Sequence, residues 1–441
     1  MKSRIASSRV FAVFVLLLLA GFAGRAPAQG LTLDIVNGVP TAVPIAVVPF
    51  AWQGGGTPPA IDVADVVRAD LNRSGQFRAL PREDVVEFPN RGSDVKFATW
   101  NLLKQDYLLI GRQSTADDGA VVVEFELFDV PKQQNLLALS VRGQPVDLRG
   151  VAHQIADIVY EKITGVRGAF WTRIAYVTSV GQGDNTQYSL VIADSDGYNP
   201  QVVVRSREAL MSPAWSPDGG RLAYVSFESG NSAIYIQNLA TGARELVSAR
   251  KGINAGPAFS PDGSKMAMML SDVGNPEIFV MDLGSRALTR ITNNFGIDAE
   301  PVWMPDGQNL VFTSDRSGKP QLYEVSAAGG TPKRITFQGE YNSNASVGYL
   351  GKKVAMVQGK GNGYRIAVMD LGLGGQVSMV SPGSMDESPD FAPNASMLLY
   401  AASEGARGVL YAVSADGRVR QRLLLSDGDV REPAWGPYRP R

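Results

Sequence analysis

From residue 213 onward, short apolar runs alternate with turn-forming residues at a fixed interval of 44. The segment PAWSPDG at 213–219 returns as PAFSPDG (257–263), PVWMPDG (301–307), ASVGYLG (345–351), PDFAPNA (389–395) and PAWGPY (433–438). A second run begins nine residues after each start, at Leu222, Met266, Leu310, Val354 and Leu398, and a third at Ile234, Ile278, Leu322, Ile366 and Leu410. A less regular fourth run follows. These runs are rich in aliphatic and aromatic residues, too short for helices and bounded by turn residues, which predicts strands. Asp-Gly at 218–219, 262–263 and 306–307 suits hairpin turns, because glycine accepts positive φ and aspartate bonds nearby backbone N–H groups. Four strands per repeat of this length is the signature of a β-propeller blade.

The ends of the array indicate how the ring closes. A second-strand pattern appears once upstream, at residues 173–177, with no Pro-Ala-Trp motif before it, and the last such motif, at Pro433, has no strands after it. Six blades follow, with the C-terminal strand completing the sheet begun near Thr172, a closure that removes exposed sheet edges.

The first half of the chain is patterned differently. Residues 42–50 and 107–111 read as buried strands and 120–130 with 136–142 as a strand pair, while 61–71 and 146–163 carry apolar residues at helical spacing. The expected fold is therefore a small α/β domain over 42–168, with its linker at 165–168, followed by an all-β six-bladed propeller over 169–441. Residues 29–41 are weakly patterned and read as a mobile arm, with an ordered edge strand as the alternative.

Residues 1–28 change the picture of compartment. Lys2, Arg4 and Arg9 precede the apolar run 10–20, and Ala26-Pro27-Ala28 supplies small residues where a signal peptidase cuts, predicting a secretory signal and a mature chain from Gln29. No other stretch reads as a membrane span. There is no cysteine, which excludes disulfides, thiolate metal sites and lipid attachment at a cysteine. Four of the 42 Lys and Arg (Lys2, Arg4, Arg9, Arg25) lie in the leader, leaving 38 against 43 acidic residues. A mildly acidic surface argues against nucleic acid as the partner.

The search for chemistry returns mostly exclusions. The single histidine, His153, lies in a predicted helix and reads as structural or solvent-facing, and one histidine without cysteine argues against zinc. There is no G-x-S-x-G elbow, P-loop or dinucleotide fingerprint, so no catalytic residue, cofactor or metal is assigned. Asp298, Glu300, Asp386, Glu387 and Glu432 could converge on a calcium, but read as solvated loop charges or partner contacts. A calcium-dependent propeller hydrolase such as a lactonase stands as the alternative, disfavoured by the missing catalytic set. Too few loop aromatics (Tyr341, Phe295) support a polysaccharide-binding module. Trp215, Phe259, Trp303, Phe391 and Trp435 read as inter-blade core.

The succession of signal peptide, IAVVPFAW (45–52), small α/β domain and PAWSPDG-type blades resembles the TolB family of the Tol-Pal envelope system. MSPAWSPDG (211–219), LAYVSFESG (222–230), FTSD (312–315) and PAWGPY (433–438) carry the resemblance, which spans essentially the whole mature chain; the fifth blade departs from it at ASVGYLG. The resemblance implies a non-enzymatic periplasmic protein, monomeric, that binds the lipoprotein Pal through the propeller and TolA through its mature N-terminus. It further implies a part in outer-membrane integrity and cell division, and exploitation by bacteriocins. In such a propeller the loops entering each inner strand share one face, and the Pal site is expected there around Ile253, Asn254, Asp298, Ala299, Glu300, Tyr341, Asn342 and Glu387. The TolA contact is expected at Leu31, Leu33, Ile35 and Val36.

Overall fold

The computed structural model describes residues 33–35 and 42–441, except 362, 424, 426, 427 and 441. The predicted signal peptide, and Leu31 and Val36 of the arm, lie outside the described residues. None of the described helices is long and apolar enough to cross a membrane.

The α/β domain is a mixed sheet ordered Phe77–Ala79, Val43–Val47, Tyr107–Thr115, Val121–Asp129, Gln134–Gly143. Its first three strands run parallel and the rest antiparallel. Among the described residues three α-helices accompany it: α1 (Val63–Arg73), α2 (Phe97–Leu102) and α3 (Leu148–Thr164). Val63, Val67 and Leu71 of α1, and Val151, Ile155 and Val159 of α3, fall at helical spacing and are all buried against the sheet. Gly165 ends α3 at φ 76°, a left-handed backbone that glycine adopts without steric cost.

Five four-stranded sheets and one of five strands follow, making the six-bladed propeller. Inner strands are Leu210–Trp215, Asn254–Phe259, Asp298–Trp303, Tyr341–Val347, Glu387–Phe391 and, for blade one, Asp429–Trp435 from the C-terminus, which pairs with Arg173–Val180. The fifth blade, without its proline, still pairs normally from Tyr341 to Val347. The repeated aromatics tie blade to blade: Phe259, Trp303, Phe391 and Trp435 are buried, Trp215 is half-buried, and the indole N–H groups of Trp215 and Trp303 donate to Ala434 O and Ala258 O of the adjoining blades.

Every inner strand carries the same bulge. The register slips between residues 211 and 214 and at each 44-residue equivalent. Inside each slip one residue takes a left-handed backbone: Ser212, Gly256, Glu300, Asn344, Ser388 and Glu432, with φ from 50° to 56°. Such a bulge kinks a strand and re-aims its side chains, and all six residues line the central channel.

The α/β domain sits on the face formed by the turns between first and second and between third and fourth strands. Arg73 of α1 donates to Ser195 in the blade-one turn, and Asn394 in blade six donates to Arg167 O. Residues of both parts share one buried core, from Ile155 and Val159 to Leu410 and Trp435.

The arm departs from a free segment over the three residues described. Leu33–Ile35 forms a fifth antiparallel strand on the outer edge of blade six, with Leu33 opposite Gln421 and Ile35 opposite Val419. The physical reason is the unpaired edge of Val419–Arg422, which offers the alternating apolar segment a ladder of backbone partners.

Candidate functional site

The loops entering the inner strands converge on the face away from the α/β domain, around a depression of about 470 Å³. Of the eight residues expected there, three are inside the fold. Asn254, Asp298 and Asn342 are fully buried, and Asp298 to Glu300 belong to a strand rather than a loop.

Their partners explain why. Asn254 accepts from Ser248 Oγ (2.6 Å) and Arg250 N (3.0 Å) and donates to the carbonyls of Ser232 and Arg250, so it nails its own loop to the neighbouring strand. Asn342 donates to Gln321 Oε1 and Gln338 O and accepts from Gln358. Asp298 accepts from Arg316 at 2.6 Å, with Arg316 stacked over Tyr323. Burial pushes the Asp298 carboxyl up, and the Arg316 pair opposes that shift. Asp386, 44 residues beyond Asn342, is buried likewise and accepts from Ser381 Oγ. Positions 254, 298, 342 and 386 are thus one structural register. An exposed-charge reading of Asp298 is corrected.

Of the remaining expected residues, Ala299, Glu300, Tyr341 and Glu387 line the depression, and Ile253 stands two repeats before Tyr341 in the same register. Ile253 is 46 % exposed, and Tyr341 packs edge-on against Tyr364 at 5.2 Å. Glu387 pairs with Arg431 at 2.8 Å and stays half exposed. Met211, Ile297, Tyr364 and Met385, also exposed, were missed by sequence reasoning. The signal was present for two of them: Ile297 and Met385 stand one and three repeats beyond Ile253, so Ile253, Ile297, Tyr341 and Met385 make an apolar register beside the buried polar one.

The centre is acidic and spans blades. Glu300 accepts from Thr313 Oγ1 and from Asn344 N of the next blade, both at 2.7 Å, and Glu432 accepts from Ser212 N across the ring closure at 3.0 Å. Burial pushes the Glu432 carboxyl up, and Glu387 and Glu300 push the same way against the Ser212 amide. The site thus combines apolar side chains at its rim with a carboxylate-lined mouth.

The comparisons with known proteins agree with this architecture. Residues 31–136 match the family described as TolB amino-terminal domain, and residues 160–439 match the TolB beta propeller domain. The Tol-Pal system protein TolB of Xanthomonas campestris pv. campestris (strain B100) is 68% identical over 426 residues, covering 96% of each chain. The chain belongs to the TolB family. A TolB of Xanthomonas oryzae pv. oryzae (strain MAFF 311018) is also 68% identical, over 423 residues. The crystal structure of TolB from Acinetobacter baumannii, 40% identical, superposes with a TM-score of 0.83, covering 92% of this chain and all of that one. The chain is thus a TolB-family component of the Tol-Pal system, and nothing in that membership indicates an enzyme.

Proposed function

We propose that the protein is a periplasmic, non-enzymatic connector of the Tol-Pal system, monomeric on its own, that binds the lipoprotein Pal on the open propeller face and TolA through its N-terminal arm. In that role it supports outer-membrane integrity and cell division. The observation that carries the reading is the apolar register Ile253, Ile297, Tyr341 and Met385, three of them exposed and Tyr341 half-buried, with Tyr341 and Met385 lining the depression together with Glu300 and Glu432 on the face the α/β domain leaves open. Apolar anchors ringed by polar groups are what a protein interface concentrates its energy in. Of the expected Pal contacts, Ile253, Ala299, Glu300, Tyr341 and Glu387 remain in the proposal as surface, while Asn254, Asp298 and Asn342 act by holding the loops.

The test is a binding titration with a soluble Pal domain. Ile253→Asp combined with Met385→Asp should weaken capture at least about tenfold, roughly 1.4 kcal/mol, with the melting temperature unchanged. Unaltered affinity in a folded double variant would move the Pal site off this face.

A further inference from the structure

The seam between α1, α3 and blade one is held by charges as well as apolar contact. His153, the only histidine in the chain, is fully buried on α3. Its Nδ1 lies 2.6 Å from Asp70 Oδ2 of α1. Its Nε2 has no hydrogen-bond partner and lies 3.6 Å from Asp196 Oδ2 in the blade-one turn. Arg73 of α1 pairs with Asp70 and donates to Ser195 O and Oγ, while Arg149 of α3 pairs with Asp196 and stacks over Tyr198.

The geometry decides which form of the ring fits. A neutral imidazole carries one N–H and one lone pair. With the proton on Nδ1, the Nε2 lone pair faces the Asp196 carboxylate; with it on Nε2, the Nδ1 lone pair faces Asp70 at hydrogen-bond distance. Only the imidazolium presents N–H to both. The charged groups around it are Asp70 and Arg73 from α1, Arg149 and Asp157 from α3, and Asp194 and Asp196 from blade one, with Arg173 and Arg439 beside Asp194. Asp70 and Asp196 face the two ring nitrogens and favour the charged ring, while Arg73 opposes it. Arg73 and Arg149 already occupy Asp70 and Asp196, which disfavours a metal cation among His153 and these two carboxylates, although their ligand atoms lie within 4.8 Å of one another.

We propose that protonated His153 is a latch between the α/β domain and the propeller, tying Asp70 to Asp196, and that loss of its proton loosens this seam. The inference does not depend on which proteins bind the open face. Burial works against the histidine charge, but Asp70 and Asp196 outweigh it, and the ring is held above its ordinary pKa. A raised histidine pKa stabilises the fold fully below the unfolded value of about 6.5, and that stabilisation is lost as pH rises through the folded value. The device therefore opens on the alkaline side.

Because the histidine is single, its imidazole NMR signals report this site alone in the full mature chain. The expected result is an imidazolium at about pH 7 with a midpoint above about 6.5, and a fall of at least about tenfold in amide protection at Gly197 and Tyr198 as pH rises through that midpoint. In His153→Gln this pH-dependent loss should vanish. A ring already neutral at about pH 6, or protection that stays constant while the ring titrates, would overturn the proposal, and both readings come from the native chain even where the variant fails to fold.

Discussion

Asp298 and Arg316 form an ion pair in which the carboxylate is fully buried and the guanidinium nearly so. Breaking such a pair strands the partner charge. Asp298→Lys should therefore cost about 3–5 kcal/mol, read as a lowered denaturant midpoint, whereas Glu387→Lys on the half-exposed rim should cost under about 1 kcal/mol. A second carboxylate is likewise pushed up by burial. Asp390 lies on the channel wall, accepting from Ser346 Oγ at 2.8 Å and Trp435 N at 2.6 Å, and burial pushes its pKa up to about 6. A raised carboxyl stabilises the fold below the unfolded value of about 3.9 and loses that contribution as pH rises through about 6. Asp390→Asn should flatten the stability profile over this window and raise stability at neutral pH, by at most about 3 kcal/mol because channel water screens part of the penalty. An unchanged profile in the asparagine variant would show that the carboxyl titrates normally.

At the scale of strands, the repeated bulge stores backbone strain in five non-glycine residues. A left-handed residue with a Cβ costs roughly 1–2 kcal/mol over glycine. Ser388→Gly should accordingly raise the melting temperature, while Glu300→Gly, which also deletes the bonds to Thr313 and Asn344, should not. Equal shifts in both would mean the side chains contribute nothing. Truncating residues 433–441 should be far more damaging: it removes buried Trp435, worth about 3–5 kcal/mol alone, and bares Ile174 and Ala175 of the strand Arg173–Val180, so aggregation or early melting is expected. The blades themselves were legible, because apolar runs and Asp-Gly turns at a constant spacing are local signals. The bulge was not: its six occupants, Ser, Gly, Glu, Asn, Ser and Glu, share no chemistry, only a position. Helix α2 and the strand Phe77–Ala79 are too short for periodicity to register. The candidate face was half legible. Ile253, Tyr341 and Glu387 are surface, but the burial of Asn254, Asp298 and Asn342 depends on partners 16 to 22 residues away that no pattern along the chain reveals.

For the molecule as a whole, one propeller face is taken by the α/β domain and the other is open, while the arm reaches the rim through Leu33–Ile35 on blade six. Among the described residues of the arm three pair with blade six, and ordering a free segment costs about 2–5 kcal/mol. Deleting residues 31–36 should abolish TolA capture in a pull-down, spare Pal capture and leave the melting temperature nearly unchanged; loss of global stability would make the arm a structural strand instead. The closing strand has a consequence in time. Trp435 Nε1 donates to Thr172 Oγ1, a residue made 263 positions earlier. Blades two to six can assemble as they emerge, but blade one waits with an open edge until Asp429–Trp435 arrives. Contacts so distant in sequence form slowly and leave sticky edges meanwhile. A chain stopped before Asp429 therefore leaves the inner edge of Arg173–Val180 unpaired, however well its other blades have formed.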